Sequence, residues 1–535
     1  MTGVSHPDTA GPTAPVGSWQ GQSVRDLIDY WADRTPTRPF LICPEHDRVV
    51  SYGDLRQETA AFARQVGMLG VKPGESVAFA SCNGYGSTLA FLGALYGGFR
   101  ATPLNLVAGS DALGYVLDHS DSGLILVSDQ ARPLIEQAAN LAQGNPIRLR
   151  LDPDTGPEWP IASEAATPDR LPTGASVGLL MYTSGTTGRP KGVLLSHENL
   201  IAGGQNTALA HELTDHDRAL CVLPLYHING QCVTVMGPLV SGGSVVMPHR
   251  FSASRFWRQI TEGECTWFSV VPTQISYLLQ LPETETPDRH SVSGLRFGRS
   301  ASSALPPAIH RAFESRYGIP IVETMGLTET AAQILSNPLP PGRRKYGSPG
   351  IAYGNQVVIA DQHQRPCPPD TVGELLVRGR NVMLGYLNNP EATAETLTVD
   401  GWLRTGDLGV MDEDGYVYVR GRIKELIIKG GENIAPREVD EALYAQPGVL
   451  EAAAFARPCP DYGQRIEACV VLKPGAEPDE TGLISACINR LGPFKSPDRI
   501  HFRDTLPKGP SGKIQRLKLL DLVDLVDLEC AQPEP

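Results

Sequence analysis

Short apolar runs separated by helical patterns fill the chain from Ser23 onward, and this alternation limits the possible folds more than any other feature. Ser76–Ala80, Leu124–Val127, Leu220–Leu223, Ser244–Met247 and Trp267–Val271 have the length of strands. Helical stretches such as Ser87–Tyr96 and Ala131–Leu141 lie between them. Strands that alternate with helices imply a largely parallel sheet covered on both faces. Ser51-Tyr-Gly-Asp54 has the form of a capping box that opens a helix. Behind it Leu55, Thr59, Phe62, Val66 and Leu69 recur at 4-3-4-3 spacing, with Gly70 placed to end the helix. No internal repeat or low-complexity block is present.

At 535 residues the chain exceeds what one hydrophobic core supports, so at least two domains are expected. Residues 1–20, rich in Pro, Gly, Ser and Thr, are expected to form a disordered arm. A boundary is expected near Arg420, where the turn Asp412-Glu-Asp-Gly415 and the strand-like Tyr416-Val-Tyr-Val419 close a large unit, 21–421. A smaller α+β unit, 422–535, follows and includes the strand-like Ala468–Leu472. A net charge of −13 argues against a nucleic-acid surface. The ten cysteines have no C-x-x-C spacing, so neither a zinc site nor a disulfide framework is expected, and a reduced cytosol fits best. No apolar stretch spans a bilayer and no secretory signal opens the chain; the expectation is a cytoplasmic protein without a membrane partner.

One stretch carries chemistry on its face. Tyr182-Thr-Ser-Gly-Thr-Thr-Gly-Arg-Pro-Lys-Gly192 follows the buried-strand pattern Val177–Met181 and puts three glycines, four aliphatic hydroxyls and a lysine into eleven residues. Gly185 and Gly188 allow backbone N–H groups to approach an anion. Thr183, Ser184, Thr186 and Thr187 add hydroxyl donors, and Lys191 adds a compact charge suited to phosphate. The spacing is not that of a Walker A loop, in which Ser or Thr follows Gly-Lys. The competing reading is a Gly/Thr-rich surface turn between strands.

This loop resembles the phosphate loop of the adenylate-forming superfamily of acyl-CoA synthetases, adenylation domains and luciferases, and further motifs of that family follow in order. The resemblance implies a large N-terminal domain of parallel-rich sheets covered by helices, with a small mobile C-terminal domain. It also implies acid–thiol ligation: ATP adenylates a carboxylate, with release of pyrophosphate, and a thiol then displaces AMP. The implied cofactors are ATP/AMP, Mg²⁺ and coenzyme A. Met325-Gly-Leu-Thr-Glu329 resembles the motif in which Glu329 ligates Mg²⁺ and Thr328 holds a phosphate. Met325 stands where the family commonly has a tyrosine stacked on adenine. Ser300-Ala-Ser-Ser-Ala-Leu305, with Ser302 inside it, occupies the place of a small-residue motif beside the adenine. Arg299, at its edge, has two readings, a partner for an acidic group on the substrate or a surface residue. Trp402-Leu-Arg-Thr-Gly-Asp407 and Arg420-Gly-Arg422 resemble the motifs whose Asp407 and Arg422 contact the ribose, and Lys424 matches a hinge position.

Lys429-Gly-Gly-Glu-Asn-Ile434 resembles the loop that enters the site for thioester formation, with Gly430 and Gly431 beside the pantetheine arm; a plain Gly-Gly turn is the alternative. Lys513 of Ser511-Gly-Lys513 matches the lysine that bridges the substrate carboxylate and the α-phosphate, with Lys508 as its competitor. Leu223–Gly230 resembles the acyl-gating motif: His227 would lie beside the acyl carbonyl, and Tyr226, Asn229, Ser300 and Gly326 would line the acid pocket. Ile228 stands where amino-acid-activating relatives carry an aspartate, which argues against α-amino acids. The acceptor is free coenzyme A or an external carrier protein; a homo-oligomer is compatible. Met325 and Arg299 raise a narrower alternative, a ligase that mainly thioesterifies a preformed acyl-adenylate. The reading from another class is a non-catalytic nucleotide-binding scaffold.

Overall fold

The computed structural model describes residues 19–144, 146–160, 171–183, 189–288, 290–508 and 514–530. Two large mixed sheets organise the N-terminal unit. In one, the strands Ile321–Leu327, Phe297–Ser300, Trp267–Val270, Arg218–Cys221, Ser244–Val246 and Pro39–Cys43 run parallel, in that spatial order. Antiparallel strands, Ala332–Ser336 and Arg48–Ser51, flank this block. In the other, Val177–Thr183, Arg100–Pro103, Ser76–Ala80, Ser122–Val127 and Ile147–Asp152 are parallel. Lys191–Ser196 and Gly385–Tyr386 extend its edge antiparallel.

Local chemistry explains several elements directly. The Ser51 hydroxyl accepts from the Asp54 amide and the Asp54 carboxylate accepts from the Ser51 amide, both at 3.1 Å, which caps the helix Tyr52–Met68. Its stripe Leu55, Thr59, Phe62 and Val66 is buried, and the Thr59 hydroxyl is satisfied by donating to the Leu55 carbonyl at 2.7 Å. Gly70 follows at φ +88°, a conformation that glycine adopts without strain. The helix His197–Ala210 touches strands of both sheets. Gly203 is required there: a Cβ would lie 2.3 Å from the Ala331 carbonyl oxygen, so this helix presses on the turn that follows Glu329.

A third, antiparallel sheet contains Gln356–Ala360, Gly373–Arg378, Leu403–Met411 and Val417–Arg422. Its last strand runs across the boundary expected after residue 421, and the short 3₁₀ turn Ile423–Glu425 follows. Beyond it a small α+β unit packs helices Pro436–Tyr444 and Glu480–Leu491 on a sheet built around Val449–Cys459 and Gly463–Leu472. Its own core includes Ile427, Val439, Leu443, Ala454, Ile466 and Val470. The architecture is the expected mixed α/β large domain with a small C-terminal domain.

At the other end, residues 1–18 of the expected arm lie outside the described residues. Trp19 is buried and makes an edge contact with the Tyr30 ring at 4.8 Å, so folded structure begins before the expected start at residue 21. Among the described residues nine cysteines are free, and no helix is long and apolar enough to cross a membrane.

Candidate active site

Several far-apart segments converge at one end of the antiparallel pair Val177–Thr183 and Lys191–Ser196. Thr183 and Lys191 face each other across this pair, at the two roots of the Gly/Thr loop. Ser184, Gly185, Thr186 and Thr187 lie outside the described residues. The Lys191 ammonium sits 4.9 Å from the centre of the Tyr386 ring. The Tyr386 hydroxyl in turn donates to the Glu329 carboxylate at 3.0 Å. Burial, reinforced by the Glu329 charge, raises the Tyr386 pKa, so the phenol stays protonated and available as a donor. Thr328 and Glu329 open a 3₁₀ turn directly after the strand Ile321–Leu327. That turn is fixed from behind: the Met383 amide donates to the Glu329 carbonyl at 2.8 Å and the Asn381 side chain to the Thr330 carbonyl at 2.9 Å.

Asp407 and Arg422 are direct neighbours on adjacent antiparallel strands and form an ion pair at 3.0 Å. Asp407 is only 5% exposed, so this is not an ordinary surface ion pair. The charges of Asp407 and then Glu329 raise the Arg422 pKa against the opposing effect of burial, so Arg422 lies within the field of both carboxylates. Lys191, Tyr386 and Glu329 therefore form one chain of contacts, and the Arg422–Asp407 pair lies in the field of its Glu329 end.

The donor set fits the implied ligands. Hydroxyls, a lysine and an arginine suit a polyphosphate. Among the described residues no cluster of three or more His, Cys, Asp or Glu side chains is arranged to hold a metal. A lone carboxylate such as Glu329 matches Mg²⁺, which takes one or two carboxylates and completes its shell with phosphate oxygens and water.

Other expected residues are placed as follows. Met325 is half-buried against a cluster that includes Ile334 and Leu335. Ser302 is left-handed at φ +71° in a loop whose end is anchored by the Leu305 amide donating to the buried Glu323 carboxylate at 3.0 Å. Tyr226 and His227 are half-buried neighbours with ring centres 5.0 Å apart, and Ile228 packs on the main core. Asn229 then begins a π-helical stretch, Asn229–Met236, a geometry frequent at functional sites. Gly326 tolerates no side chain, because a Cβ would lie 1.7 Å from the Ala332 carbonyl oxygen.

Gly430 and Gly431, at φ +58° and +85°, form the two-residue turn between strands Ile427–Lys429 and Glu432–Ile434. Within the chain positive φ is what requires them, since an added Cβ at Gly431 meets nothing within 4 Å and one at Gly430 makes only ordinary contacts with Tyr462 and Phe494. Lys424 is exposed in the 3₁₀ turn after Arg422. Lys508 is ion-paired with Glu451 at 2.5 Å, and Lys513 lies outside the described residues.

The surface reading of Arg299 is overturned: the side chain is 2% exposed. Strand alternation turns it, with Phe297 and Ser269, toward the core face that carries the π-helical stretch, while Ser300 takes the opposite face. One guanidinium nitrogen donates to Asn229 Oδ1 at 3.0 Å and to Ser269 Oγ at 3.1 Å, and another donates to Gln333 Oε1 at 3.2 Å. Burial pushes its pKa down to about 9, which leaves it cationic at neutral pH.

Tyr386, Ser269 and Gln333 escaped the sequence reading. For the last two a signal existed: each is a lone polar side chain inside an apolar strand, Trp-Phe-Ser-Val and Ala-Gln-Ile-Leu. Tyr386 had none, because its partner Glu329 lies 57 residues upstream.

A family model described as AMP-binding enzyme matches residues 28–387, and one described as AMP-binding enzyme C-terminal domain matches 438–513. The chain belongs to this family of adenylate-forming acyl-CoA ligases. It is 47% identical to a sulfoacetate–CoA ligase from Cupriavidus necator over 92% of this chain and 96% of that one. It is 37% identical to an oxalate–CoA ligase from Arabidopsis thaliana over 85% and 90% of the two chains. The crystal structure of ATP-bound MatB from Rhodopseudomonas palustris superposes with a TM-score of 0.85 at 28% identity, covering 94% of this chain and all of that one.

Proposed function

We propose that this acyl-CoA ligase binds ATP along the Lys191–Glu329–Asp407 group and activates a short carboxylic acid, with sulfoacetate the first candidate. The contact chain Lys191–Tyr386–Glu329, with the Asp407–Arg422 ion pair in the field of Glu329 and the segments more than 200 residues apart in sequence, is the observation that carries the reading. Thr183, Lys191 and the loop 184–188 take the β- and γ-phosphates. Glu329 would hold Mg²⁺, which would offset phosphate charge, and Thr328 would hold a phosphate. Asp407 accepts from the ribose hydroxyls while Arg422 holds it in place; Met325 and Ser302 flank the adenine.

In the first step a carboxylate oxygen attacks the α-phosphorus and pyrophosphate leaves. Lys513 neutralises the two anions as they meet. In the second step the coenzyme A thiolate attacks the acyl carbonyl and AMP leaves. His227, Tyr226, Asn229, Gly326 and Ser300 are assigned to the acid side, Lys424 to the pivot between steps, and the Gly430–Gly431 turn to the thioester step. The names of the relatives, sulfoacetate–CoA and oxalate–CoA ligases, support a short acid. The burial of Arg299 among Asn229, Ser269 and Gln333 removes one of the two grounds for a ligase limited to preformed acyl-adenylates.

AMP formation dependent on both sulfoacetate and coenzyme A is the expected result. Lys513→Ala should lower acid-dependent pyrophosphate exchange roughly 100- to 1,000-fold while sparing thioester formation from synthetic acyl-AMP. Equal loss in both half-reactions would refute the assignment of Lys513.

A further inference from the structure

Arg299 is a buried cation held entirely by neutral oxygens. Among the described residues no carboxylate lies within ion-pair distance of it, although its three partners surround it closely. Such a charge is costly to bury unless an anion completes its shell. Its neighbours reinforce the point. Arg299 Nε, Asn229 Nδ2 and Gln333 Nε2 are buried N–H groups without a hydrogen-bond partner, and all three belong to this one cluster. Each unsatisfied group of this kind costs free energy, and three donors together leave room for acceptors only. Asn229 lies two residues after His227, the side chain assigned to the acyl carbonyl.

We propose that Arg299, Asn229 and Gln333 form a subsite for a second anionic group on the acid, so that the enzyme selects short acids carrying a carboxylate or sulfonate at the far end. This rests on the ligase reading above and adds to it a requirement for tail charge. Arg299 supplies the countercharge, and the two amides orient the tail oxygens. Ser269, which donates to Asn229 Oδ1 at 3.2 Å, fixes the amide so that its nitrogen points away from the serine. A tail without charge leaves all three donors unsatisfied, and an ammonium is repelled.

The test compares two matched pairs of acids, sulfoacetate with methylsulfonylacetate and malonate with monomethyl malonate, by kcat/KM for CoA-dependent AMP formation. The parent enzyme should prefer the charged member of each pair by roughly 100-fold or more, the size expected when one partner of a buried charge pair is missing. Arg299→Gln should collapse that ratio toward unity, and Arg299→Lys should recover part of it. An ATP-induced rise in melting temperature, retained in each variant, shows that the variant is folded.

Parent turnover of charged and uncharged acids at similar kcat/KM overturns the subsite while leaving the ligase reading intact. A ratio that survives in folded Arg299→Gln does the same. Absence of AMP formation with a broad acid panel instead overturns the ligase reading itself. Preference for sulfoacetate over malonate, or the reverse, identifies which anion the subsite fits.

Discussion

Arg422 and Arg299 both lie in polar pockets of the large unit, yet their surroundings differ in kind. Arg422 sits 3.0 Å from a carboxylate on the next strand and feels a second one at Glu329. Arg299 has three neutral oxygens and no carboxylate among the described residues. The first pocket is electrostatically complete before any ligand arrives, so its geometry is held ready. The second is balanced only by something from outside. A pre-paired cation suits a ligand that is the same in every turnover, the nucleotide. A cation left unpaired makes occupancy depend on what the incoming acid carries. That distinction can be broken at several points.

The largest effect is expected at Asp407. Asp407→Asn should lower kcat/KM for ATP by roughly 100-fold, because Arg422 loses its partner and the ribose loses an ionised acceptor. The preference between charged and uncharged acid tails should remain that of the parent. Pyrophosphate exchange at varied ATP, run with both acids of a matched pair, reads the two quantities separately. A shift in tail preference of similar size would mean that the two pockets act as one electrostatic unit.

Stability should separate the two arginines next. Arg422→Met leaves a nearly buried Asp407 without its cation and should cost about 2 kcal/mol, less than for a fully buried pair because Arg422 is partly exposed. Arg299→Met removes an uncompensated buried charge but abandons three acceptor oxygens. These effects oppose each other, and the net change should stay within about 1 kcal/mol. Urea denaturation of the ligand-free proteins measures both; a larger loss from Arg299→Met would mark it as a structural group. Smaller again is Tyr386→Phe. It removes one hydrogen bond to Glu329 while keeping the ring against Lys191, and should slow adenylation by about tenfold. Unchanged pyrophosphate exchange would take Tyr386 out of the site.

What the sequence disclosed follows from how local each feature is. The Ser51–Asp54 cap, the buried stripe of its helix and the strand at Val177 depend on neighbours within a few residues, and the structure places them as the spacing predicts. Glu329, Asp407 and Arg422 were legible through ordered motifs, although their proximity depends on strand order. Arg299 remained ambiguous because its partners lie at 229, 269 and 333 and meet only in the tertiary fold: Ser269 through the parallel register of the next strand, Gln333 from an antiparallel strand and Asn229 from the π-helical stretch. Trp19 was lost in a Gly/Pro-rich setting that masked one core aromatic. The Gly-Gly turn is legible in another way: within the chain its glycines are required by positive φ, which a plain turn shares with a loop that admits a ligand arm.

The last way to sharpen the comparison is pH. Burial brings the folded-state pKa of Arg299 down to about 9, well below that of an exposed guanidinium. Above pH 9 the unfolded chain therefore retains a proton that the folded chain releases, so this residue's contribution to stability rises with pH in that window and is flat below it. Deprotonation also removes the countercharge for the tail. The ratio of kcat/KM for charged over uncharged acids should consequently fall as pH rises through about 9, and taking the ratio cancels every group that the two acids share, the coenzyme A thiol included. A bound anion favours the protonated guanidinium and lifts its pKa in the complex, so kcat with a saturating charged acid should hold to higher pH than kcat/KM does. Arg422, whose carboxylate neighbours raise its pKa, should leave kcat/KM for ATP without a break in this range. A tail ratio that survives unchanged at every pH in folded Arg299→Gln would place the charge selection somewhere other than Arg299.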